Sequence, residues 1–288
     1  MDASSFHQLP SLIVLNLSHN KLSNTPRDPR FDSHLPMAGL SGVFWNSPSL
    51  QSLDLSDNQI GSIDSNFFAS LTSLRFLNLS RNGLTQVDYR NFMQTPNIDV
   101  LDLSHNSLTT IDDHICRYLP NLETIDLSFN DVTDVSVSSC WKLRSLDLSR
   151  NQINGLADNV FSGSIQSIDL SHNHLLNVPR VQRLNRLKWL SLAANRIGHL
   201  FSEDFKQNAQ LEVVDLSENG IEQLPPSFFS ANGRLREIDL SRNAITALPA
   251  HIFRDLATLD KLDLSSNRLS ELMAEVFDPS TRLRSNAT

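Results

Sequence analysis

Apolar and polar residues alternate in a pattern that recurs along most of the chain. The segment from Leu50 to Ile60 has leucine or isoleucine at its first, fourth, sixth and eleventh positions and an asparagine, Asn58, at its ninth. This asparagine recurs in eleven copies, most often at intervals of 24 residues. The copies begin at Leu12, Leu50, Leu74, Ile98, Leu122, Leu143, Ile165, Leu187, Leu211, Leu235 and Leu259. A period of this length predicts a solenoid in which each copy forms one coil.

The fourth and sixth positions of each copy predict a short β-strand. Residues i and i+2 of a strand lie on the same face, so Leu53 and Leu55 would both point into the core. The asparagine follows where the chain turns, and its amide can bond backbone groups of its own and the neighbouring coil. Stacked coils would form one parallel sheet of about eleven strands, roughly 50 Å long at a spacing of ~4.8 Å.

Phenylalanine repeats at a second position, ten residues after the asparagine. Phe6 and Phe44 belong to the same set, because each lies six residues before the first leucine of a copy. The set is Phe6, Phe44, Phe68, Phe92, Phe161, Phe205, Phe229, Phe253 and Phe277. Rings on the side away from the strands would wedge the coils apart, so the pattern predicts a horseshoe with the strands on its concave side.

These motifs resemble the leucine-rich repeat family over nearly the whole chain. The 24-residue length and the late phenylalanine are similar to its extracellular class, which includes Toll-type receptors, chaoptin-like adhesion proteins, Slit and small proteoglycans. The resemblance implies a right-handed α/β solenoid with irregular or short helical convex segments, forming a single domain over residues 1–288. It also implies a non-enzymatic module that binds a protein or glycan through its concave face, within a cell-surface or secreted, receptor-like or adhesive glycoprotein.

Two departures from the family pattern stand out. The interval from Asn20 to Asn58 is 38 residues, which places a loop-like insertion at residues 23–43. Its prolines and mixed charges are typical of a surface excursion, and a functional loop is the alternative. The cysteine-bearing caps of the family are also not recognisable. We therefore expect a fragment of a longer array that self-associates through uncapped ends, where strand edges and apolar surface are open.

Candidate partner-binding residues lie at the outward positions of the strands. The position between the two strand leucines is aspartate in eight copies. These carboxylates are either locally bonded parts of the repeat or an acidic surface that attracts a basic partner. More variable positions carry aromatic and basic residues, which are typical of interface hot spots, although single surface apolar residues are also common. The candidates are Phe76, Val100, Phe129, Trp189, Val213, Asp102, Asp126, Asp147, Asp169 and Arg150.

Two kinds of covalent modification are compatible with the sequence. Asn16, Asn78 and Asn286 begin Asn-x-Ser/Thr motifs, which are glycosylation acceptors if the chain enters the secretory pathway.

Cys116 and Cys140 each lie ten residues after a repeat asparagine, in adjacent coils. The second of these repeats is three residues short, so their register is ambiguous. Two buried thiols in place of two rings are the favoured interpretation, and a disulfide is the alternative.

Charge, apolar runs and motifs argue against several classes of function. A net charge of −8 disfavours a general nucleic-acid binder, so we expect no nucleic-acid partner. The sequence contains no run of 18 apolar residues, so we expect no membrane insertion within this chain. The first residues, Met1 to Ser5, do not resemble a signal peptide. An intracellular scaffold or enzyme regulator with a cytoplasmic location is therefore the alternative function. No catalytic motif is present, and we expect no cofactor and no metal site.

Overall fold

The computed structural model describes residues 9–23, 47–63 and 67–277, distributed over two compact units, Met1–Leu143 and Arg144–Thr288. Several sequence predictions lie outside the described residues. These are Phe6 and Phe44 of the phenylalanine set, Asn286, and all of the predicted insertion except Ser23. Ser23 itself forms a parallel bridge to Gln59.

The first unit is a stack of coils with a parallel sheet along one side. Its strands are β1 (Val14–Asn16), β2 (Ser52–Asp54), β3 (Phe76–Asn78), β4 (Val100–Asp102), β5 (Thr110–Ile111), β6 (Thr124–Asp126) and β7 (Asp134–Val135). The sheet has the order β1-β2-β3-β4-β6, and β5 pairs with β7 in a separate two-stranded sheet. The helices are short: a 3₁₀ turn at Tyr89–Phe92 and α1 at His114–Tyr118.

The second unit repeats this arrangement. Its strands are β8 (Ser145–Asp147), β9 (Ser167–Asp169), β10 (Trp189–Ser191), β11 (Val213–Asp215), β12 (Glu237–Asp239) and β13 (Lys261–Asp263), paired in chain order. A 3₁₀ turn follows at Ala274–Val276. The two units together hold the eleven parallel three-residue strands that the repeat predicted. The solenoid prediction, with little helix, is confirmed.

The alternation of the repeat explains how each strand packs. In β2 the central Leu53 is fully buried, while Ser52 and Asp54 on either side are partly exposed. Leu50 and Leu55 are also fully buried, so three apolar side chains of one coil fill the interior. Each coil thus buries its leucines only against its neighbours, which makes stability a property of the stack.

Phenylalanine forms a stacked spine on the side of each coil away from its strand. Phe68 stacks on Phe92 with a centroid distance of 5.7 Å, and Phe229 stacks on Phe253 at 6.2 Å. Phe161 and Phe205 are buried at the same repeat position, while Phe277 is partly exposed. Two rings outside the predicted set, Phe67 and Phe228, are also buried and contact the spine edge-on.

Asparagine forms a second ladder that links successive coils through the backbone. The Nδ2 of Asn106 donates to the carbonyls of Leu79, Leu103 and Ser104 at 3.0–3.1 Å. Its Oδ1 accepts from the amides of Asn82 and Leu84. The predicted role of this asparagine, in bonding its own and the neighbouring coil, is what the structure shows.

Cys116 and Cys140 are joined in a disulfide, whereas the sequence analysis favoured two thiols. The two Cα atoms are 5.1 Å apart, within the range that a disulfide spans. Asp113 links the same segments, because its carboxylate accepts from the Ser138 hydroxyl at 2.8 Å and the Ser139 amide at 2.9 Å. Burial raises the pKa of Asp113, but these hydrogen bonds outweigh it and leave the pKa below its ordinary value.

Reducing this disulfide should weaken the fold. It closes a loop with a sequence separation of 24 residues. A loop of this length corresponds to about 3 kcal/mol of stability through restriction of the unfolded chain. Urea titration with and without dithiothreitol measures the loss, and the Cys116→Ser, Cys140→Ser double variant is the control that reductant should leave unchanged. Equal midpoints for oxidised and reduced wild-type protein would contradict the prediction.

Candidate partner-binding surface

The first and third residues of each strand point away from the core and form the surface that we call the sheet face. It carries two parallel rows in each unit. The first-residue row is variable in chemistry, and the third-residue row is mostly aspartate. Because the strands pair in register, equivalent residues of adjacent strands are direct neighbours at ~4.8 Å strand spacing.

Each aspartate of the third-residue row has a role in its own coil. Asp102 Oδ1 accepts from the Ser104 amide at 2.9 Å, and Asp126 Oδ1 accepts from the Ser128 amide at 2.8 Å. In the second unit the same bond joins Asp147 to Ser149 and Asp169 to Ser171. These bonds support the structural interpretation of the ladder. The partner role of the aspartates stays a prediction.

The charges of this row act on one another. Burial is the main cause that raises the pKa of Asp102. Hydrogen bonds from Ser104 oppose the shift, and the carboxylates of Asp126 and Asp54 add to it. A row of like charges on neighbouring strands therefore costs electrostatic energy, and a cationic partner would relieve it.

In the first unit the three apolar candidates lie at two different places on the surface. Phe76 and Val100 are register partners on β3 and β4, so they form a partly exposed apolar pair on the sheet face. Phe129 lies beyond the end of β6 and stacks instead on His105, with a centroid distance of 4.0 Å. Arg81 Nη2 donates to His105 Nε2 at 3.0 Å, which extends the stack. Burial, followed by the Arg81 charge, lowers the pKa of His105.

These last residues belong to a row with an unusual backbone, which we call the rim row. Its members follow each strand and all have a positive φ of 51–55°: His19, Asp57, Arg81, His105, Phe129, Arg150, His172, Ala194, Glu218, Arg242 and Ser266. In this conformation the amide of Arg81 donates to the Ser104 carbonyl of the next coil at 3.0 Å. The hydrogen bond offsets the steric cost that a side chain has at positive φ. The sequence identifies these positions as variable and rich in aromatic and basic residues, but no residue type marks their positive φ.

In the second unit Trp189 and Val213 are register partners on β10 and β11, and both are partly exposed. Arg150 lies in the rim row, where its Nη2 donates to His172 Nε2 at 3.2 Å. It is therefore at the edge of the surface and not beside Trp189. Asp147 and Asp169 are neighbours in the third-residue row on β8 and β9.

Asn16 and Asn78, the two described glycosylation candidates, end β1 and β3 and lie in the third-residue row. Of the described residues, none belongs to a helix long and apolar enough to span a membrane. Within the same ranges, no three His, Cys, Asp or Glu side chains cluster as a metal site would require.

Family models match most of the chain. The model described as "Leucine rich repeat" matches residues 77–132, 141–197, 185–244, 209–269 and 233–285. The one described as "Leucine Rich repeats (2 copies)" matches residues 48–91 and 120–159, and a single-repeat model matches residues 11–30. No curated protein matches the chain by sequence.

Solved structures share the fold. A chain of the Toll–Spatzle complex from Drosophila superposes with a TM-score of 0.78 at 24% identity, over 93% of this chain and 35% of that one. A chain of the TLR13–ssRNA13 complex gives 0.76 at 28% identity, over 93% and 42%. A chain of the LRIM1/APL1C complex gives 0.73 at 25% identity, over 93% and 46%. The present chain thus spans less than half of each of these relatives.

Proposed function

Because the chain belongs to the leucine-rich repeat family, we propose that it is a non-enzymatic protein-binding module that recognises its partner through the sheet face of the second unit. The observation that carries this proposal is the Trp189–Val213 pair at the centre of that unit's sheet. We further propose that the module is part of a secreted or cell-surface, receptor-like or adhesive protein.

The coil that contains Trp189 differs from its neighbours in carrying no charge over residues 189–195. Its third-residue position is Ser191 and its rim position is Ala194, where the two adjacent coils have aspartate and either His172 or Glu218. Ser191 is flanked in register by Asp169 on β9 and Asp215 on β11. The result is an uncharged strip, with Trp189 as its largest side chain, bordered on both sides by carboxylates.

The surrounding cations do not neutralise these carboxylates. Arg242 is paired with Glu218, and Lys261 is paired with Glu237. Asp169 and Asp215, in contrast, form no ion pair within the part of the chain that the structure describes. An apolar anchor bordered by negative charge favours a partner segment with a large apolar side chain between basic residues.

The disulfide supports the secreted or cell-surface setting. Cys116 and Cys140 are bonded to each other, and such bonds persist in oxidising compartments but are rare in the cytosol. An intracellular scaffold would keep both thiols reduced. Mass spectrometry of the alkylated, unreduced protein from its natural source distinguishes the two settings.

The complexes formed by the relatives suggest two partner classes. One is a complex of LRIM1 with APL1C, and another is a complex of TLR13 with single-stranded RNA. The net charge of −8 and the aspartate row favour a protein partner here, because phosphate groups would be repelled.

The test is selection of peptides from a random display library on the oxidised full chain, followed by affinity measurement on variants. We expect enriched peptides that combine tryptophan or leucine with lysine and arginine. Changing Trp189 and Val213 together to serine should weaken their binding about thirtyfold, because losing an aromatic anchor costs about 2 kcal/mol. The circular dichroism spectrum should not change.

The matched control is the pair Phe76→Ser with Val100→Ser, which removes the equivalent neighbours from the first unit. This variant should bind the selected peptides as the wild type does. Unchanged affinity in the Trp189, Val213 variant, or tighter binding of a fluorescent oligouridylate than of any selected peptide, would refute the proposed surface or partner class.

A further inference from the structure

We propose that Asn78 carries an N-linked glycan whose first sugar lies on the ring of Phe76 and covers the Phe76–Val100 pair. This goes beyond the proposed function, because it assigns the apolar pair of the first unit to a carbohydrate attached to this chain. The partner surface of the second unit is a separate set of residues.

The position of the two side chains carries the argument. Phe76 and Asn78 are the first and third residues of β3, so they point to the same side of the sheet about 6.6 Å apart along the strand. Val100 is the register partner of Phe76 on β4, and Asp102 is the register partner of Asn78. A sugar on Asn78 would therefore lie directly above an apolar surface formed by two neighbouring strands.

The amide of Asn78 is oriented for this attachment. Its Oδ1 accepts from the Ser80 amide at 2.9 Å, which directs Nδ2 away from that turn. Nδ2 makes no hydrogen bond to any residue in the described ranges. In Asn16, the other described candidate, Nδ2 donates to Asp54 Oδ2 at 3.3 Å. Both hydrogens of Asn78 Nδ2 are thus unbonded within the described ranges, whereas one of the Asn16 hydrogens is used in the bond to Asp54.

The chemistry requires an oligosaccharide linked to a lipid pyrophosphate as co-reactant. The Asn78 nitrogen forms a bond to the anomeric carbon of the first sugar, and the bond from that carbon to the pyrophosphate oxygen breaks. The nitrogen loses one proton, and the lipid pyrophosphate leaves. In the folded chain Leu79 is fully buried and Ser80 is 7% exposed, so the enzyme must act on the motif before this coil packs.

An aromatic ring below the sugar gives the glycan a defined place. The ring presents a flat apolar surface to the C–H groups of a sugar, and burying such surface is favourable. The glycan should therefore stabilise the folded chain through Phe76, and it should exclude a protein partner from the Phe76–Val100 pair.

The first experiment is production of the full chain in insect or mammalian cells behind a cleavable signal peptide. Trypsin cleaves after Arg75 and Arg81, so residues 76–81 form one peptide that contains both Phe76 and Asn78. We expect mass spectrometry to find this peptide glycosylated, and Asn78→Gln to abolish the modification. An unmodified peptide, from cells in which a co-expressed reporter glycoprotein is glycosylated, would overturn the proposal.

The second experiment tests the contact with Phe76. Enzymatic removal of the glycan from the folded protein should lower the melting temperature of the wild type. It should have no effect in Phe76→Ser, which keeps the glycosylation motif, while Phe76→Tyr should restore the wild-type response. An equal shift in wild type and Phe76→Ser would show that the sugar does not lie on the ring. Neither experiment uses the peptide affinities that test the proposed function, so the two proposals can fail independently.

Discussion

Replacing Phe253 with alanine is expected to lower the free energy of unfolding by about 3–5 kcal/mol. The ring is fully buried and is stacked between Phe229 at 6.2 Å and Phe277 at 5.8 Å. Removing it leaves a cavity between coils, and neither neighbour can fill the space without losing its own packing. Because each coil of a solenoid is stabilised only by its neighbours, the loss should appear in the melting of the whole unit.

Urea titration followed by circular dichroism measures this effect. Phe201→Ala is the matched control, because that ring is 57% exposed and its removal should cost well below 1 kcal/mol. If the two variants have the same midpoint, the spine is not a main source of stability.

Replacing Asn106 with alanine is expected to cost about 4 kcal/mol, since each buried polar group left without a partner costs about 1–3 kcal/mol. The side chain makes five hydrogen bonds to backbone groups of two coils. Alanine would leave the two amides without their acceptor, while each of the three carbonyls keeps another donor. Partial rescue by entering water keeps the cost below the full sum.

The control for this variant is Asn20→Ala in the first coil. Asn20 is exposed and, among the residues that the structure describes, its Nδ2 donates only to the Leu17 and Ser18 carbonyls. Water can replace both bonds there, so we expect a loss of about 1 kcal/mol or less. Comparable losses at Asn20 and Asn106 would mean that the ladder acts only within single turns and does not link the coils.

Much of the candidate site was predictable, and the reason lies in strand geometry. The repeat places Phe76 next to Val100 and Trp189 next to Val213, because the same position of adjacent coils must be neighbours in a parallel in-register sheet. Phe129, two residues after the second strand leucine, makes a contact that this reasoning does not give. It lies past the strand in the rim row, where the turn and not the pleat sets its direction, and it stacks on His105.

The state of the cysteines depended on the three-dimensional path of a shortened coil. Cys116 lies in the short helix α1, and Cys140 lies in a turn of a repeat that is three residues shorter. Whether their Cα atoms approach to 5.1 Å depends on where the missing residues are taken up. Residue counting has no information on that point, so thiols and a disulfide remained alternatives.

The sequence by itself determined the coil, its strand, the phenylalanine spine and the asparagine ladder. One repeated pattern places aliphatic residues, asparagine and, in most coils, phenylalanine at the same spacings, so every coil buries the same positions. Only the tertiary structure decided the positive φ of the rim row, the stack of Arg81, His105 and Phe129, and the orientation of the Asn78 amide. These features arise from backbone torsion angles and from hydrogen bonds between coils. Because the same positive φ occurs with histidine, arginine, phenylalanine and alanine, residue type does not predict it.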